Sequence, residues 1–91
     1  MGRNALGEFE QAVLLAILRL PSNAYGVPIR RDLGERLGRD VSVGAVYTTL
    51  ERLEQKGFVS SWTGGATAER GGRAKRFYRI EAPGRHALDG G

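Results

Sequence analysis

The apolar residues fall into three helix-like stripes followed by a change of period. Over residues 7–20, Phe9, Val13, Ile17 and Leu20 recur at helical spacing, and Ala12, Leu14, Leu15, Ala16 and Leu18 make the segment apolar nearly all round. Pro21-Ser22-Asn23 breaks the pattern. Over residues 25–38, Ile29, Leu33 and Leu37 give a second stripe and Gly38 a stop. Pro28 fits only the first turn, so this helix must begin near Ala24 or Tyr25. Over residues 42–57, Val43, Val46, Tyr47, Leu50 and Leu53 form a third stripe. Ser42 is suited to accept a hydrogen bond from a first-turn N–H, Lys56 to face the negative helix end, and Gly57 to turn the chain out of the helix. Beyond Gly57 the residues become β-branched and aromatic. Segments 58–63 and 75–80 read as strands of an antiparallel hairpin spanning 58–80, with a Gly-rich cationic loop between them. In the second strand, Phe77 and either Tyr78 or Ile80 should point inward, and core packing is expected for Trp62 and Tyr78. Residues 82–91 begin a short C-terminal helical segment.

This order predicts a mainly α fold with a small antiparallel hairpin, in one domain over residues 1–91. Three helices, a two-stranded wing and a short last helix make the winged helix-turn-helix arrangement. The second and third helices form the helix-turn-helix, and the third enters the major groove. Its polar face offers slim positions, then donors and acceptors, as reading base edges and phosphates requires. The candidate reading residues are Ser42, Gly44, Ala45, Tyr47, Thr48, Arg52 and Lys56. For two of them the roles stay open: Ser42 serves as a cap alone or also as a contact, and Tyr47 packs its ring while aiming its hydroxyl at a phosphate. The first helix carries more apolar surface than a small core needs. Either the C-terminal segment covers the excess within the monomer or, the favoured reading, a second chain does, in a homodimer through Phe9, Val13, Leu14, Ile17 and Leu18.

Charge sharpens this picture. The net charge is +4 over 91 residues. All of the excess lies in residues 60–79, where Arg70, Arg73, Lys75, Arg76 and Arg79 face only Glu69. A patch so confined is the footprint of a polyanion, here double-stranded DNA, with Arg70, Arg73, Lys75 and Arg76 as the wing contacts. There is no cysteine and one histidine, and no glycine-rich turn joins a strand to a helix. No enzyme, cofactor or metal site is expected from such a chain. The apolar run from Ala12 to Leu18 is too short to cross a membrane, and the N-terminus has no signal-peptide pattern. The rival reading is a winged helix that binds protein and not DNA, which would need apolar anchors on the third helix.

Four stretches together resemble the PadR-like transcriptional regulators. They are Leu6-Gly7-Glu8-Phe9-Glu10, Ala24-Tyr25-Gly26, the run from Val41 to Val59, and Arg73-Ala74-Lys75-Arg76-Phe77-Tyr78-Arg79-Ile80 with Pro83-Gly84-Arg85. The resemblance extends from Leu6 to about Leu88. It implies a bacterial, cytoplasmic, nucleoid-associated repressor that binds a palindromic operator as a homodimer. It also implies release by a small aromatic or cationic effector. Relatives dimerise through a C-terminal helix laid against the partner's first helix. Here only Ala82 to Gly91 follows the hairpin, so the expected dimer rests mainly on residues 8–20 and is weaker than the family norm.

Overall fold

A computed structural model describes residues 6–64 and 75–90. The elements run α1 (Glu8–Arg19), α2 (Gly26–Leu37), α3 (Val43–Gln55), β1 (Val59–Gly64), β2 (Lys75–Ile80) and α4 (Ala82–Leu88). This is a four-helix fold with a two-stranded antiparallel hairpin.

Local chemistry explains the helix ends. Glu10 reaches back to the Gly7 N–H at 3.0 Å, closing the first turn of α1. Pro28 lies in the first turn of α2, and Gly38 closes that helix with φ 69°. The Ser42 hydroxyl accepts from the Ala45 N–H at 3.0 Å and starts α3. At its other end Gly57 has φ 79°, with the Gly57 N–H on the Glu54 carbonyl and the Phe58 N–H on the Leu53 carbonyl. That paired arrangement satisfies two carbonyls the helix would leave bare and hands the chain straight to β1.

The core joins Val13, Leu14, Ala16 and Ile17 of α1 to Ile29 and Leu33 of α2, Val46, Leu50 and Leu53 of α3, Val59 of β1 and Tyr78 of β2. In the hairpin Ser61 faces Tyr78 and Trp62 faces Phe77. The hairpin is fastened to the start of α2, because the Tyr78 N–H donates to the Ala24 carbonyl at 2.8 Å and Tyr25 bridges to Phe77. The wing and the helix-turn-helix therefore share one backbone seam.

Burial corrects four expectations. Val13, Leu14 and Ile17 do not face a second chain. They fill this chain's own core, because α2, α3, β2 and α4 all pack on α1. The apolar residues that α1 leaves outside are Leu15 and Leu18, at 42% and 37% exposure, while Phe9 is half-buried. Val43 and Tyr47 lie at the edge of their stripe and are exposed, whereas Thr49 is buried. Leu37, at the end of α2, is likewise exposed. Trp62 is outside the core at 47% exposure, stacked on Phe77 with centroids 5.8 Å apart, while Tyr78, the partner of Ser61, is buried.

Candidate nucleic-acid interface

The exposed side of α3 is set by where its buried residues point. With Val46, Thr49, Leu50 and Leu53 inward, the opposite stripe at helical spacing is Gly44, Thr48, Glu51 and Gln55, all exposed. Ala45 and Arg52 flank this stripe on one side and Tyr47 and Glu54 on the other. Gly44 stands in open space, since a Cβ there would meet nothing within 4 Å. Among the described residues no packing calls for a glycine at that position.

The flank toward α1 is tied by charge. Lys56 Nζ lies 3.1 Å from Glu10 Oε2, and Arg52 Nη1 lies 4.0 Å from the same oxygen. Burial raises the Glu10 pKa, but the Gly7 N–H, the Lys56 ammonium and the Arg52 guanidinium outweigh it and leave the group below its ordinary value. The structure thus sets Arg52 and Lys56 on the side of the helix against α1, off the outward stripe. Arg52 keeps a side chain 56% exposed.

The opposite flank meets the wing. Glu54 accepts from the Ser61 hydroxyl at 2.8 Å, and Ser61 in turn accepts from Arg76 Nη1 at 2.8 Å. This chain runs from α3 through β1 to β2 and fixes the guanidinium at the edge of a cleft between α3 and the hairpin. Gly44, Tyr47, Thr48, Glu51, Glu54 and Arg76 line that cleft. Lys75 lies with its ammonium 5.2 Å from the centre of the Tyr25 ring, held by the field of the ring face. Arg70 and Arg73 lie outside the described residues.

Three cations not chosen from sequence border the start of α3. Arg30, Arg31 and Arg39 line an open cleft with Glu35, Asp40 and Val41. Arg30 Nε donates to the Val41 carbonyl at 2.7 Å, which pins the turn leading into Ser42. Glu51, outside the candidate set, shares the helical spacing of Gly44, Thr48 and Gln55. Among the described residues no group of three or more potential ligands could hold a metal ion, and no helix is long and apolar enough to cross a membrane.

A capped helix with a polar outward stripe, docked on a second helix and clamped to a hairpin, defines a winged helix-turn-helix. The chain belongs to the transcriptional regulator PadR-like family, whose profile matches residues 14–90. RosR of H. salinarum is similar to it, with 26% identity and a TM-score of 0.73 over 99% of this chain and 73% of that one. A PadR family transcription regulator from hypervirulent Clostridium difficile shows 24% identity and a TM-score of 0.72, covering 91% of this chain and 81% of that one. Bacillus subtilis PadR, solved in complex with operator DNA, shows 21% identity and a TM-score of 0.72, covering 90% of this chain and 45% of that one. The last two likenesses establish fold. The chain spans 66% of the hsRosR chain in one of that protein's complex structures. No curated protein is similar enough to count as a match.

Proposed function

We propose that the protein is a DNA-binding transcriptional repressor that seats α3 in the major groove of a palindromic operator. The observation that carries this is the outward stripe Gly44, Thr48, Glu51 and Gln55, slim at its leading end, polar throughout and bordered by fixed cations. Arg76 and Lys75, with the sequence-chosen Arg70 and Arg73, rest on flanking phosphates. Arg30 and Arg39 do the same beside the start of α3, where Ser42, Ala45 and Tyr47 approach the duplex. Arg52 and Lys56 reach phosphates from the α1 flank and leave the bases to the stripe. That Bacillus subtilis PadR was solved in complex with operator DNA supports duplex DNA as the partner. A two-fold pair, with Phe9, Leu15 and Leu18 at its interface, presents two reading helices to two half-sites. Release by a small aromatic or cationic effector and a cytoplasmic, nucleoid-associated location in a bacterium follow the family resemblance.

Fluorescence anisotropy on a selected duplex tests the reading. Affinity should fall steeply with salt as counterions are released. Absence of binding to every selected duplex at low salt would favour the protein-binding alternative, for which the exposed side chains of Val43, Tyr47 and Trp62 supply apolar anchors.

A further inference from the structure

Two carboxylates of α3 face the cleft, and their circumstances differ. Glu54 is occupied, holding the Ser61 hydroxyl that receives Arg76. Glu51 has no hydrogen-bond or ion-pair partner among the described residues, and it sits mid-stripe between Thr48 and Gln55. Arg76, which lines the same cleft, is engaged with Ser61. Among the described residues Glu51 thus carries an unengaged negative charge on the surface proposed to enter a polyanion.

We infer that Glu51 is a specificity-determining residue that accepts a hydrogen bond from the 4-amino group of a cytosine. This inference rests on the DNA-reading proposal above. A carboxylate only accepts hydrogen bonds, and the major groove offers just two base donors, cytosine N4 and adenine N6. Adenine places the N7 acceptor beside its amino group, so the carboxylate meets repulsion there. Guanine and thymine present O6, N7 and O4, all acceptors. Cytosine has a bare C–H next to its amino group. A charge at residue 51 therefore rewards one base, disfavours the other three, and weakens binding to duplex in general.

That combination gives an effect of opposite sign in two measurements. Both variants concern an exposed helix position, and Glu51→Gln keeps the shape of the side chain. Wild type, Glu51→Ala and Glu51→Gln are each used to select duplexes from a randomised library, then titrated against the selected site and against random duplex. Wild type should require cytosine at one position of each half-site. In Glu51→Ala that preference should fall by about 5- to 100-fold, the range of a single base mismatch. Affinity for random duplex should rise, because a charge repelling phosphates is gone. Glu51→Gln should move the preference to adenine, whose N6 and N7 an amide can engage together. Unchanged base preference in both variants, with wild type still selecting a site, would overturn the role of Glu51 and leave the DNA-reading proposal standing. Failure of wild type to select any duplex would overturn both.

Discussion

The hydroxyl end of Tyr47 fills the space that a Cβ on Gly26 would need. The first residue of α2 and the first turns of α3 thus approach through a ring laid against bare backbone. The helix-turn-helix angle depends on a glycine having no side chain. Gly26→Ala should cost about 1–3 kcal/mol of stability through overpacking, and should weaken DNA binding as the ring is displaced. In a Tyr47→Ala background the same substitution should cost much less. Denaturant titrations of the four proteins give the coupling, and equal costs in both backgrounds would show that the ring is not what the glycine accommodates.

Gly44 presents the reverse case. Its φ is not positive and no described neighbour crowds it, so among the described residues it is merely a poor helix former. Gly44→Ala should raise stability by about 0.5–1 kcal/mol. If slimness serves close approach to DNA, the same change should lower operator affinity. Thermal melts and anisotropy on one preparation would separate the effects. A variant both more stable and equally tight on DNA would remove Gly44 from the interface.

Glu10 predicts a pH dependence with a definite sign. Burial favours its neutral form, but the Gly7 N–H, Lys56 and Arg52 prevail, so the folded-state pKa lies below the unfolded one. Its stabilisation is then complete above the ordinary glutamate value and is lost as pH falls through the lowered folded-state value. Glu10→Gln should cost about 1.5–3 kcal/mol near neutral pH, the scale of charge-assisted hydrogen bonds. The gap to wild type should close on acidification. A gap that stays constant across a pH series of melts would show that the charge contributes nothing.

Assembly can be tested without unfolding the chain. Leu15 and Leu18 are three residues apart on the exposed side of α1, whereas Leu14 is fully buried. Leu15→Glu or Leu18→Glu should shift the proposed homodimer toward monomer in sedimentation while leaving the helical content intact. Leu14→Glu should unfold the chain, since an uncompensated buried charge costs about 3–5 kcal/mol. Full dimerisation of the Leu15→Glu, Leu18→Glu double variant would move the interface off α1.

The sequence by itself determined the order of elements and their ends. The Ser42 cap, the Gly38 and Gly57 stops, the place of Pro28 and the switch of period after Gly57 are matters of backbone geometry within a few residues. Capping hydrogen bonds and left-handed glycines act at that range, so spacing alone exposes them. Tertiary structure decided what each side chain faces. Lys56 turns toward α1 because its partner, Glu10, lies 46 residues away. Val13, Leu14 and Ile17 are consumed internally because four elements converge on α1. Trp62 lies outside and Tyr78 inside because the hairpin register and its seam to Ala24 choose which pleat meets the helices. Glu51 is distinguished from Glu54 by Ser61 of β1, which bonds to Glu54 and receives Arg76 of β2. Burial and pairing depend on residues distant in the chain, and hydrophobic pattern records the period of an element without recording its neighbours.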